Sequence, residues 1–284
     1  MSGVGVLVKA ALPSIPGVNL LPGVRKTARG AADLDRHSAS IESATLEPER
    51  VQAYAEVCGF PVKDTVPLPY PHLLAFPLQM RLMSSPAFPE PAIGTIHLEN
   101  SITSHRPIGV GERLTLTTSV GAAEPHPVGR AYVFTTTAVA GDETVWEEHS
   151  TYLRRGRRDP DAVWADDLAD VAPSGPVFRL DAGLGRRYAR VSGDYNPIHL
   201  TPLSAKALGF PRQIAHGMWT LARCVAAMEN RLPDGVRVDV AFKKPVFLPS
   251  SVAYGSTKVE NGYAFSLHKR GSDTLHLLGR TTAL

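Results

Sequence analysis

Ala215-His216-Gly217-Met218-Trp219-Thr220-Leu221-Ala222-Arg223-Cys224-Val225-Ala226-Ala227-Met228-Glu229-Asn230 is followed, after a short break, by Val236-Arg237-Val238-Asp239-Val240-Ala241-Phe242. The first run places Met218, Leu221, Ala222, Val225 and Met228 on one face at helical spacing, so it predicts an unbroken buried helix over 215–230. In the second run the period changes to two, the signature of a half-buried strand. A base and a proline, Lys244-Pro245-Val246, then lead into another extended run.

The same order occurs earlier in the chain with few identical residues. An apolar segment, Pro71 to Ser84, precedes Ile96, Leu98 and Ile102 in alternation with His97, Glu99 and Ser101, and then Arg106-Pro107-Ile108. Each half also opens with a shorter helical stretch that stops at glycine: Pro48 to Cys58-Gly59 in the first, Leu184 to Ser192-Gly193 in the second. Strand-like runs at Ala131 to Val139 and Thr144 to Leu153 complete the first half. The organisation expected is an irregular arm over 1–32, a first half over 33–153, a charged linker over 154–172 and a second half over 173–284. One long helix per half with mainly antiparallel strands predicts an α+β fold in which each sheet wraps around a helix.

Composition excludes several classes. The 284 residues carry a net charge of +3 from acids and bases spread along the chain, without the basic stripe that neutralises phosphates, so nucleic acid is not an expected partner. No uninterrupted apolar run reaches the ~18 residues of a membrane span, and no charged segment precedes the apolar start, so a cytoplasmic protein is expected. Cys58 and Cys224 lie far apart in apolar helical stretches and read as buried thiols. None of the ten histidines shows the two-His or Cys-His spacing of zinc sites, so no metal is expected.

The residues that carry chemistry lie in Tyr188-Ala189-Arg190-Val191-Ser192-Gly193-Asp194-Tyr195-Asn196-Pro197-Ile198-His199, followed by Ala205, Gly209-Phe210 and Ile214-Ala215-His216-Gly217-Met218. This block resembles the MaoC-like, or type 2 (R)-specific, enoyl-CoA hydratase family. The resemblance implies a hot-dog fold, and the duplicated order implies its double form, whose two sheets can join into one. It further implies a hydro-lyase of fatty acid metabolism that interconverts (R)-3-hydroxyacyl and trans-2-enoyl thioesters on coenzyme A or acyl carrier protein, with no cofactor and with room for a homodimer. Asp194 and His199 match the family's catalytic pair.

The residues support that reading on their own chemistry. Gly193 ends a helix and Asn196-Pro197 forces a bend, so Asp194 and His199 approach one point from its two sides. Hydration of a conjugated thioester needs a base for water and an acid for the α-carbon, roles that one aspartate and one histidine can fill. Charge developing on the thioester oxygen needs a donor, and Gly217, opening the long helix, is the candidate oxyanion amide. Considered singly, an Asp or Asn beside glycine is a turn or cap and a loop histidine is structural; the joint pattern is what points to catalysis. Asn196 is expected to hold the bend or contact the thioester, His216 to cap the helix or orient the site, and Lys243 or Lys244 to meet the pantetheine.

The first half has Phe60-Pro61-Val62-Lys63-Asp64 where the motif would fall, and is expected to be chemically silent. Pro77 in its apolar helix predicts a kink, break or late start, leaving an acyl tunnel lined by Leu73, Leu74, Phe76, Leu78 and Leu82. Two other classes compete with a lyase: a hot-dog thioesterase and a non-catalytic acyl-thioester-binding subunit.

Overall fold

Val236, Val238 and Val240 are buried while Arg237 is exposed, so β8 (Val236–Phe242) is the half-buried strand that its alternation predicts. In a computed structural model of the chain, residues 37–92 and 94–284 are described. The arm expected over 1–32 lies outside the described residues.

The elements run β1 (Ser38–Thr45), α1 (Pro48–Cys58), α2 (His72–Ser84), β2 (Thr95–Ser104), β3 (Arg113–Val120), β4 (Glu124–His126), β5 (Gly129–Ala140) and β6 (Glu143–Arg155). They continue β7 (Val177–Leu180), α3 (Leu184–Ser192), α4 (Pro202–Ala207), α5 (Gly217–Ala226), β8, β9 (Ser250–Val259), β10 (Gly262–Lys269) and β11 (Leu275–Ala283). Helices α1 and α3 stop where expected, on Gly59 and Gly193, whose φ values of 78° and 76° favour glycine.

The eleven strands among the described residues form one sheet, in the order β1-β3-β5-β6-β2-β8-β11-β10-β9-β7 with β4 beside β5. Outward from the β2–β8 junction, each half therefore repeats the same sequence of strands. The junction is antiparallel, from Glu99 opposite Ala241 to Ser104 opposite Val236. The two expected sheets are thus continuous, and the duplicated order seen in the sequence is the order of the fold.

Two helix expectations are corrected. The second long helix ends at Ala226 rather than Asn230: the Ala227 and Met228 amides reach back three residues to Cys224 and Val225, tightening the last turn, and a separate 3₁₀ turn spans Glu229–Arg231. The first runs from His72 to Ser84 through Pro77, with neither a break nor a late start. Leu73, Leu78 and Leu82 are buried in the core, and Leu74 and Phe76 pack against it. Burial of that face offsets the one amide bond that proline removes.

Residues 156–176 contain no helix or strand and are strapped to the sheet. Trp164 donates to Glu99 at 2.8 Å, Arg280 to Asp167 at 3.0 Å, and Lys243 pairs with Asp166. Arg154 and Arg155, read as linker, belong to β6. Both cysteines are free and buried, and no helix among the described residues is long and apolar enough to cross a membrane.

Candidate active site

Helix α3 delivers the chain to Gly193, and the next six residues form the bend. Asp194 Oδ1 accepts from the Asn196 amide at 3.0 Å, and Asn196 Oδ1 accepts from Ile198 at 3.4 Å. Asn196 therefore holds the bend, capping the 3₁₀ turn Pro197–His199. Ser204 on α4 closes the turn from outside, donating to the Pro197 carbonyl at 2.7 Å. One Asp194 oxygen is thus spent on local structure, which leaves Oδ2 for chemistry.

His199 and His216 stack with ring centroids 3.7 Å apart. His199 Nδ1 lies 2.8 Å from the Ile214 carbonyl. A carbonyl only accepts, so Nδ1 carries the proton and Nε2 presents a lone pair. That Nε2 lies 4.0 Å from Asp194 Oδ2, too far for a direct hydrogen bond. Burial lowers the His199 pKa, opposed by Asp194 and the Ile214 carbonyl, so the ring is neutral near pH 7.

By the same logic His216 Nε2 donates to the Asp194 main-chain oxygen at 3.0 Å. Burial and the neighbouring His199 push its pKa down to about 3. The side chain of His216 makes no cap hydrogen bond to α5. Its polar contact runs to the Asp194 main chain instead. Tyr188 on α3 supports the ring at a centroid distance of 4.8 Å.

Gly217 is the first residue of α5, where backbone amides have no carbonyl one turn earlier to bond. A β-carbon there would lie 3.2 Å from the Phe242 ring at the end of β8. Lys243 and Lys244 follow on the exposed side; Lys243 is engaged by Asp166, whereas Lys244 makes no ion pair among the described residues. The structure brings Asp194, His199 and His216 together; it gives neither lysine a contact with them.

Asp194, His199 and His216 offer ligand atoms all within 4.8 Å of one another, close enough for a cation. Their arrangement fits proton transfer better. The two imidazoles are stacked with their planes 24° apart, a poor geometry for aiming both at one ion, and His216 Nε2 carries the proton that it donates. A basic cavity of about 910 Å³ lies elsewhere, lined among others by Arg130, Arg154, Arg155, Arg157, Arg158 and Glu90, and it holds none of these three residues.

Sequence reasoning missed several contributors. The Ile214 carbonyl leaves no side-chain signal. Gly185, in α3, sits where a β-carbon would lie 2.0 Å from the His199 carbonyl oxygen, so only glycine allows helix and bend to touch. In the first half, Glu148 is buried and accepts from His72 Nδ1 at 2.6 Å, Asn100 at 2.8 Å and Gln79 at 3.1 Å. The polar residues at 72 and 79, seven apart in an apolar helix, are the signal that could have found this network.

Comparison with known proteins agrees with the block that carried the resemblance. The family described as MaoC like domain matches residues 182–275. The chain is 33% identical to 3-hydroxyacyl-thioester dehydratase X of Mycobacterium tuberculosis, covering 100% of this chain and 99% of that one. The crystal structure of HtdX from that organism superposes with a TM-score of 0.78 at 35% identity, over 87% of this chain and 100% of that chain. A conserved hypothetical protein of the same organism, described as having a double hotdog fold, is alike in fold alone: TM-score 0.54 at 14% identity, over 90% of this chain and 98% of that one. With 33% identity over its whole length to one of its dehydratases, this chain belongs to the MaoC-like dehydratase family, in its double hot-dog form.

Proposed function

We propose that the chain is a hydro-lyase of fatty acid metabolism, interconverting (R)-3-hydroxyacyl thioesters with trans-2-enoyl thioesters and water, in the cytoplasm. The observation that carries this reading is the 4.0 Å separation of Asp194 Oδ2 and His199 Nε2. Both atoms present lone pairs, and the spacing suits one oxygen that donates to each through hydrogen bonds of about 2.8 Å. That oxygen is the attacking water in hydration; in dehydration the substrate hydroxyl takes its place, accepting a proton from the member of the pair that carries one as it leaves.

In hydration the pair takes a proton as the water oxygen bonds to the β-carbon. The π electrons move toward the thioester, whose oxygen gains charge beside the Gly217 amide at the positive end of α5. A proton returned to the α-carbon completes the addition, and dehydration runs the same steps backwards. Asn196 holds the bend, His216 fixes the Asp194 main chain, and the first half takes no chemical part. Lys244 is freer than Lys243 to meet the carrier, coenzyme A or acyl carrier protein.

The test is to follow a trans-2-enoyl thioester with the purified protein. Loss of the conjugated absorbance without release of free thiol is expected. Thiol release would make the chain a thioesterase, and binding without turnover an acyl-binding subunit.

A further inference from the structure

The proposed chemistry uses the second half, yet the first half faces it with groups that still need partners. His97, on β2, stacks on Tyr152 at 4.5 Å and packs against Phe242 at 5.0 Å. Phe242 is the ring that a β-carbon at Gly217 would meet at 3.2 Å, so the first residue of α5 and His97 are both neighbours of one side chain. The charge of Asp194 also acts on His97. His97 is therefore separated from the candidate oxyanion residue by one ring and lies within electrostatic reach of Asp194.

Its Nε2 is buried without a partner among the described residues, and so is Asn100 Oδ1, three residues along the same strand. Burial holds His97 neutral, its pKa lowered to about 3, and the Glu99 backbone favours a proton at the other ring nitrogen, so Nε2 is an acceptor. Behind it the wall is polar and fixed. Tyr152 donates to Gln79 at 2.8 Å, and Gln79 and Asn100 both bond Glu148 and Ser150. Burial alone would push the Glu148 carboxyl up, yet His72 and Asn100 hold it below the usual range, so a full anion sits in this wall. Such a surface favours a chain that brings a donor, because an alkyl tail would leave buried acceptors unmade.

Resting on the hydratase reading above, we infer that His97 is a specificity residue and that the preferred substrates are acyl thioesters carrying a hydroxyl group beyond the β-carbon. The experiment compares chain-matched pairs, trans-2-hexenoyl-CoA with its 6-hydroxy derivative and trans-2-octenoyl-CoA with its 8-hydroxy derivative. At one chain length or both, kcat/KM should favour the hydroxylated member by about tenfold or more. His97→Leu should abolish or invert that preference, whereas His97→Gln, which keeps an acceptor, should retain part of it; a purely structural role would lower both members of a pair alike. Turnover of both members with equal kcat/KM at both lengths, or a preference that survives in folded His97→Leu, overturns the inference alone. No turnover of any of the four overturns the hydratase reading together with it.

Discussion

The two halves share a strand order but spend their polar residues differently. In the second, Asp194, His199 and His216 meet at a bend, and Asp194 Oδ2 and His199 Nε2, 4.0 Å apart, keep free lone pairs. In the first, His72 and Glu148 form a tighter pair at 2.6 Å, but Asn100 and Gln79 also donate to the carboxylate. The second half's arrangement is left open for a substrate oxygen, while the first half's is closed by the protein's own donors. A duplicated scaffold can therefore keep a carboxylate beside a histidine in both copies and do chemistry with one, because what matters is which lone pairs remain free.

This comparison can be broken most directly at the open site. His199→Ala should lower kcat/KM for enoyl thioesters about 100-fold or more while the far-ultraviolet circular dichroism stays unchanged. Near wild-type turnover would remove the second half's claim. Gly185→Ala comes next: its β-carbon meets the His199 carbonyl oxygen, so helix and bend must separate. About 10- to 100-fold loss of activity with a lower Tm is expected, and an unaffected enzyme would show that this contact does not set the position of His199.

A smaller effect is shared by both halves. His97 and His216 have folded pKa values near 3, and that of His199 is also lowered. The unfolded chain takes up these protons at about pH 6.5, so the unfolded state binds more protons between there and the folded values, and stability falls as pH falls through that window. Urea unfolding between pH 7 and 4 should show a declining midpoint that is shallower in His97→Leu; an identical pH dependence in that variant would contradict the assignment of His97 as a buried neutral ring. The smallest expected effect is none. Activity should survive prolonged chelation, and its loss would turn the Asp194, His199 and His216 cluster into a metal site.

The fold was legible because it rests on periodicity. The change from helical spacing in 215–230 to alternation in 236–242, and its repeat in the first half, are visible residue by residue. Of the site, Asp194 and His199 were legible because glycine and proline mark the bend between them. The partners of those residues were not. A main-chain oxygen such as that of Ile214 has no residue type, and Gly185 matters through a contact fourteen positions away. The break or late start expected at Pro77 does not occur because local propensity says nothing about the core burial that outweighs it. The polar network of the first half was not legible because its histidine, on α2, and its carboxylate, on β6, lie 76 residues apart in the chain.

The central claim is that proton transfer belongs to the open pair and not to the closed one. Its direct test is to measure kcat/KM for one trans-2-enoyl thioester with Asp194→Asn and with His72→Asn, the latter keeping a donor near the Nδ1 position that serves Glu148. The account predicts a loss of about 100-fold or more in the first and less than about tenfold in the second, both proteins being folded. Turnover that survives in Asp194→Asn, or that is lost to the same degree in His72→Asn, would contradict it.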